Sequence, residues 1–274
     1  MRPADLRRYM EELWRLRPVE GEGVPENVVV VERVDSTNRL ARTIANEYEQ
    51  EGQSVRSLLV LALEQTGGRG RRGRSWSSPH GKGVYATRVV AVSDPAVLQT
   101  LPLLIGIALS RALSAHLPAP VRLKWPNDLL VQEDAERKKI GGILIEAMIR
   151  PGEGGVALVG FGVNVGHEDE DLPSGATSVD LETGADSGLT EIAELTWNLA
   201  AAVEEELTHL GDTSYAVERY REHSVHREGE PIACRVADEV IEGTFAGFDE
   251  QGHLRLRRAN GEEVRIAAGE VIEP

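Results

Sequence analysis

The chain has 274 residues, with 30 Lys and Arg against 45 Asp and Glu, for a formal net charge of -15 at pH 7. That length holds one large domain plus a small one, and the acidic balance argues against general binding to nucleic acid or to anionic membranes. A single cysteine, Cys234, excludes an internal disulfide, fits a reducing compartment and, lying in a strand-like run, reads as a buried structural thiol. The N-terminus lacks an apolar signal region. The nearest approach to a membrane span, Val97 to Leu113, carries Pro102 and Arg111, so a cytoplasmic protein is expected.

In chain order, residues 4–16 place Leu6, Tyr9, Met10, Leu13 and Leu16 at helical spacing, and a Pro/Gly/Glu loop follows from Pro18 to Glu26. Val28 to Val31 is a β-branched run that predicts a buried strand. Asp35-Ser36-Thr37-Asn38 then opens a helix with Leu40, Ile44 and Tyr48 on one face. Ser57 to Leu63 and Val84 to Val90 predict strands. Pro95 to Leu117 predicts a buried helix interrupted near Pro102. Val121 to Trp125, Ile140 to Met148 and Gly155 to Val165 are further strands. An acidic loop, His167 to Asp171, leads to Ala176-Thr177-Ser178, and helices are expected over Leu189 to Leu210 and Tyr215 to His223. From about residue 225 short alternating segments take over: Ile232 to Val236, Val240 to Phe248, His253 to Arg257 and Glu263 to Ile266. Asn260-Gly261 between the last two is a hairpin turn signal, and the pattern predicts a small β-barrel. The division expected is 1–224 and 225–274.

Between the strands that end at Leu63 and begin at Val84 lies Gly67-Gly68-Arg69-Gly70-Arg71-Arg72-Gly73-Arg74-Ser75-Trp76. Like charges repel, so arginines clustered in an acidic chain point to an anionic ligand. Glycine lets backbone N–H groups approach it, and guanidinium forks suit carboxylate and phosphate. Gly68, Gly70 and Gly73 match a dinucleotide-binding spacing by letter, but turn residues and a strand follow where that site requires a helix. The kinase reading fails for want of H-R-D and D-F-G. Lys124-Trp125-Pro126-Asn127-Asp128 clusters polar side chains at a strand end, although Pro-Asn-Asp is also ordinary turn composition. Lys138-Lys139 enters a strand with Gly141 and Gly142, a sign of a bulge or of close approach to a ligand. Gly160 and Gly162 lie in an apolar strand ending at Asn164. The seven histidines form no metal-ligand spacing, and His223 and His226 read as surface residues.

Taken in order, Asp35 to Asn38, Gln65 to Trp76, Ser78-Pro79, Lys124 to Asp128, Lys139 to Glu146, Gly162 to Asn164 and Ala176 to Ser178 resemble the motifs of the biotin protein ligases. The resemblance implies an α+β fold. It has a mixed, largely antiparallel sheet with helices, like the class II aminoacyl-tRNA synthetase core, and a small C-terminal SH3-like β-barrel. It implies an ATP-dependent enzyme that makes biotinyl-5′-AMP and passes biotin to a lysine of a biotin carboxyl carrier protein. Biotin contacts are implied for Ser36, Thr37, Asn38, Gln65, Gly68, Arg69, Gly70, Arg71, Lys139 and Gly142. Nucleotide contacts are implied for Arg74, Trp76, Lys124, Asn127 and Asn164, and catalytic roles for Lys139, Arg71 and Asp128. Asp128 has two open roles, holding magnesium or helping to deprotonate the acceptor lysine. ATP with Mg2+ and biotin are the implied small molecules, and a homodimer is compatible with the family. Thr66 and Gly67 carry little weight.

Bifunctional relatives carry a winged helix-turn-helix before the catalytic core. About 27 residues precede the first strand here, so a biotin-responsive DNA-binding regulator is not expected. A lipoate ligase shares the core, but its usual arginine, triple-glycine and His-Asp signature is missing.

Overall fold

The structure, a computed structural model, describes residues 3–18, 24–53, 55, 57–133, 136–150 and 153–272. Part of the expected Pro18 to Glu26 loop, residues 19–23, lies outside them. Helix α1 (Pro3–Leu16) is followed by β1 (Asn27–Val34), α2 (Thr37–Gln50), β2 (Leu58–Gln65) and β3 (Gly83–Val92). A short 3-10 turn, Pro95–Gln99, precedes α3 (Leu101–Ser114), which begins where Pro102 can occupy the first helical turn. Then come β4 (Val121–Lys124), β5 (Asp128–Glu133), β6 (Glu136–Arg150) and β7 (Gly154–Asn164). Three helices complete this part: α4 (Val179–Thr183), α5 (Leu189–Leu207) and α6 (Thr213–His223). The remaining strands are β8 (Pro231–Val236), β9 (Glu239–Phe248), β10 (Leu254–Arg257), β11 (Glu263–Ile266) and β12 (Glu270–Ile272).

The first sheet has the order β1-β2-β3-β7-β6-β5-β4. Only β1 and β2 run parallel, with α2 as the crossover that a parallel pair needs; every other pair is antiparallel. Both faces of its centre are covered. In β2, Leu59, Leu61 and Leu63 join the larger core, while Leu58 and Val60 join a second cluster with Ala41 and Ala45 of α2. Alternate strand residues face opposite ways, so covering both faces yields the unbroken apolar run visible in the sequence. Helix α2 differs from expectation: it buries Ala41 and Ala45, whereas Tyr48 is exposed. Small residues let this helix lie close on the sheet.

Strand β5 was not anticipated, because its apolar centre, Leu129 to Val131, is short and follows directly on turn residues. It pairs with β6 through a bulge: Leu129 faces Gly141 and Leu130 faces Lys139, so Ile140 has no opposite number. The extra residue offsets the alternation. Lys139 and Gly142, three apart, therefore share a face, with the Lys139 Nζ 3.7 Å from where a Gly142 Cβ would sit.

The second sheet has the order β11-β10-β9-β8-β12, all antiparallel. At Asn260-Gly261 the Gly261 N–H donates to Arg258 O and Arg258 N–H to Glu262 O, with Gly261 at φ 86. That is a type I turn closed by a left-handed glycine. Apolar residues of the second sheet join the same core cluster as those of the first. Phe248 stands edge-on to Tyr220 at 5.4 Å, and the Trp125 indole N–H donates to Gly252 O at 3.2 Å.

His226 corrects the sequence reading. It is not a surface residue: its Nε2 accepts the Trp125 backbone N–H at 3.1 Å and its ring packs against Phe245 at 5.4 Å. His223 is also half-buried, with Nδ1 2.8 Å from Arg219 O. Burial, then the charges of Arg137 and Lys124, push the His226 pKa down to about 3. The unfolded chain takes up this proton near pH 6.5 and the folded chain does not. The neutral ring therefore gives its full stability above pH 6.5, and that stability drains away as pH falls towards 3, by at most about 1.4 kcal/mol per pH unit. Urea melts at several pH values should show this acid-side slope, and His226→Gln should flatten it.

Candidate active site

The N-terminus of α2 forms one wall of a cleft. Ser36, Thr37 and Asn38 are all buried, and among the described residues the Ser36 hydroxyl makes no capping hydrogen bond. Ser36 is the N-cap residue by backbone position, with its carbonyl accepting the Leu40 N–H, while its hydroxyl is left available to the cleft. Gln65 Oε1 accepts the Thr37 N–H at 2.9 Å, and Gln65 Nε2 donates to Ser78 Oγ at 2.9 Å. Thr87 Oγ1 lies 2.7 Å from Asn38 Oδ1 and 2.8 Å from Thr37 Oγ1. Asn38 Nδ2 donates to Glu146 Oε2 at 3.0 Å. The result is a polar corner whose side chains orient one another.

The floor is glycine. A Cβ on Gly160 would stand 2.3 Å from Asn38 Oδ1, and one on Gly162 would stand 2.5 Å from Trp76 Nε1. These residues let Asn38 and Trp76 lie directly on β7. Gly160→Ala should therefore destabilise the fold by about 1–3 kcal/mol, the scale of overpacking. A urea melt checks this; a wild-type midpoint would show that Asn38 can move aside freely.

The arginine loop forms the lid. Trp76 N–H donates to Gly68 O at 2.9 Å and Gly70 N–H to Arg74 O at 2.7 Å, folding residues 68–76 into a tight excursion. Arg71–Gly73 make a 3-10 turn, with Arg72 at φ 56 and Gly73 at φ 75. Arg71 Nη1 donates to Asn127 Oδ1 at 2.9 Å and Gly269 O at 3.2 Å. Burial first, then Arg72 and Arg74, push the Arg71 guanidinium pKa down, while Asp128 and Glu270 oppose them. Opposite the loop, Asp128 Oδ1 accepts Lys139 Nζ at 2.6 Å and Asn127 Nδ2 at 3.1 Å. The Lys139 ammonium is 5.6 Å from the centre of the Trp76 ring. Lys138 turns away and pairs with Glu136 at 3.4 Å.

All of the sequence-predicted site residues line this one cleft except Gly68 and Asn164. Gly68 lies under the loop, where a Cβ would meet Trp76 O at 2.4 Å. Asn164 points elsewhere and donates to Thr177 O at 3.0 Å. Thr177 N–H in turn donates to Lys139 O at 2.9 Å, and Lys139 N–H to Gly175 O at 2.8 Å. Asn164 and the Ala176-Thr177-Ser178 segment thus buttress the Lys139 backbone rather than touch the cleft. Sequence reasoning gave no role to Thr87, Glu146, Glu270 or Val271. The first was signalled as a polar residue inside an apolar strand, while Glu270 and Val271 reach the cleft from the second sheet.

The cleft thus combines the polar Ser36-to-Gln65 corner, with Arg69 beside it at Glu146, and a set of cations made of Arg71, Arg72, Arg74, Lys124 and Lys139. That suits a ligand with a polar head and an anionic portion. Residues 30–164 match the Biotin/lipoate A/B protein ligase family, and residues 229–272 match the Biotin protein ligase C terminal domain. The chain is 37% identical over 251 residues to the biotin–[acetyl-CoA-carboxylase] ligase of Paracoccus denitrificans, covering 88% of this chain and 98% of that one. The biotin protein ligase of Aquifex aeolicus, solved with biotin and ATP, superposes with a TM-score of 0.70 at 27% identity over 90% of this chain and 98% of that chain. That of Leishmania major, solved with biotinyl-5-AMP, gives 0.54 at 25% identity, over 89% of this chain and all (100%) of that one. The chain belongs to the biotin protein ligase family.

Proposed function

We propose that this chain is an ATP-dependent ligase that activates biotin as biotinyl-5′-AMP and transfers it to a lysine of a biotin carboxyl carrier protein, such as that of acetyl-CoA carboxylase. The observation that carries this reading is the meeting, in one cleft, of the Ser36-Thr37-Asn38-Gln65 corner with Lys139 and the arginine lid. The corner suits the ureido head of biotin, which needs neutral donors and acceptors.

In the first step a carboxylate oxygen of biotin attacks the α-phosphorus of ATP and pyrophosphate leaves. Two anions must meet, and Lys139 and Arg71 lower that cost by standing where the charges converge. Trp76, Lys124, Asn127 and Arg74 are the nucleotide-side groups. The arginine lid shields the resulting mixed anhydride from water. In the second step the carrier lysine, as a free amine, attacks the acyl carbon and AMP leaves. Asp128, already holding Lys139 in place, is the carboxylate that fits magnesium, which typically takes one or two carboxylates together with substrate phosphates. When bound, that ion would neutralise phosphate charge.

The finer features belong to the same reading. The core is class II synthetase-like and residues 225–274 form an SH3-like unit, a reading supported by the antiparallel five-stranded order. Among the described residues no helix is long and apolar enough to cross a membrane. A cytoplasmic setting accords with the lone buried Cys234, and the net charge of -15 weighs against DNA as a partner. The test is incubation of the protein with biotin, ATP, magnesium and a carrier domain. Mass spectrometry should show one added biotin and an equal amount of AMP. Modification by lipoate with none by biotin would overturn the assignment.

A further inference from the structure

The segment that joins α6 to the second sheet runs beside β4, the edge strand of the first. Ser224 bridges Leu123 in parallel, and the Val225 N–H donates to Leu123 O at 3.0 Å. A parallel ladder would next send the Trp125 N–H to Val225 O. Here Val225 O accepts Arg137 Nη2 at 3.2 Å, and the Trp125 N–H goes to His226 Nε2 at 3.1 Å. The ring can accept there only when neutral, with its proton on Nδ1, and burial beside Arg137 and Lys124 keeps it neutral. A carboxylate in the same place would pair with those cations, whereas the imidazole leaves them their charge. Trp125 opens the turn between β4 and β5, whose residues Lys124, Asn127 and Asp128 line the cleft. Its indole N–H is held as well, by Gly252 O at 3.2 Å. Further along the turn, Asn127 O accepts the Ile143 N–H at 3.0 Å, and Asp128 Oδ1 holds Lys139 Nζ.

We propose that His226 is a positioning residue: from the segment between the two sheets it supplies the acceptor that fixes the Trp125 backbone, and so sets the β4–β5 turn where Lys124 and Asn127 can meet the nucleotide. Nucleotide handling then depends on a side chain 101 positions from Trp125 that does not itself line the cleft. This consequence rests on the ligase reading above, whereas the contact itself does not.

Two variants of the full chain provide the test. His226→Phe keeps a ring against Phe245, which lies 5.4 Å from the imidazole, but removes the acceptor. Hydrogen exchange read by mass spectrometry on peptides covering residues 123–128 should then show the Trp125 amide exchanging about tenfold faster, the scale of losing one hydrogen bond. The thermal midpoint should fall by no more than about 4 °C. In adenylation assays the KM for ATP should rise about tenfold, while the affinity for biotin measured by calorimetry stays near that of the wild type. His226→Gln, whose side-chain carbonyl can accept the same N–H, should recover most of the slow exchange and of the ATP KM. Unchanged Trp125 exchange in His226→Phe, or an unchanged KM for ATP, would overturn the proposal. So would exchange accelerated evenly over the whole chain with equal losses for biotin and ATP, which would mean that His226 merely holds the two sheets together. A His226→Gln variant that behaves like His226→Phe would also count against it, because the ring and not the acceptor would then matter. Faster Trp125 exchange in a protein whose wild type makes no adenylate would leave the contact standing and sink the ligase reading instead.

Discussion

Replacing Lys139 by alanine should slow biotin adenylation by roughly 10²–10³-fold, the usual loss on removing one aimed electrostatic group. Lys139 Nζ is fixed by Asp128 Oδ1 at 2.6 Å, and its backbone is clamped by Gly175 and Thr177. Its charge is therefore delivered to one place without reorganisation. The β6 bulge turns it into the cleft, whereas Lys138 is paired with Glu136 at 3.4 Å outside. Lys138→Ala should accordingly stay within about threefold of wild type, as exposed ion pairs contribute little. Rapid-quench measurement of pyrophosphate release separates the two variants. Equal losses would reduce the lysine pair to a diffuse field with no placed catalytic group.

Arg71→Ala should raise the rate at which adenylate escapes into water by roughly 10–100-fold, the scale of losing hydrogen bonds to a charged group. In the folded protein Arg71 joins the lid to Asn127 of the β4–β5 turn and to Gly269, the residue before β12. Its removal opens that corner and, on the proposed mechanism, takes away a cation that would face the phosphate. The rate of AMP and free biotin formation without carrier measures the leak. Neither a leak nor a loss of biotin affinity would deny Arg71 both roles.

Much of this site was legible in the sequence because its signals are local. Arginines spaced by glycines advertise an anion and a close backbone approach whatever the rest of the chain does. The long apolar strands and amphipathic helices announce themselves by period in the same way. What escaped depends on distant partners. Thr87 reaches Asn38 only after β3 has been laid beside β2, and Glu270 meets Arg74 only when the second sheet docks. Nothing near Asn164 in sequence reveals that its amide serves Thr177 instead of the cleft. The bulge at Ile140 arises from pairing with β5, a strand too short to show a period of its own. His226 reads as a surface residue because no acidic or cysteine partner stands beside it in the sequence, yet its ring packs against Phe245 of the second sheet.

The most direct test of the account is a two-stage transfer. The protein is incubated with biotin, ATP and magnesium, freed of small molecules by gel filtration, and then mixed with a carrier domain in the absence of ATP. The account predicts that the carrier gains biotin, one per retained adenylate, with matching release of AMP. If no biotin reaches the carrier unless fresh ATP is added, although the protein is active under continuous turnover, then it does not hold an adenylate beneath the arginine lid, and the mechanism proposed for this cleft is wrong.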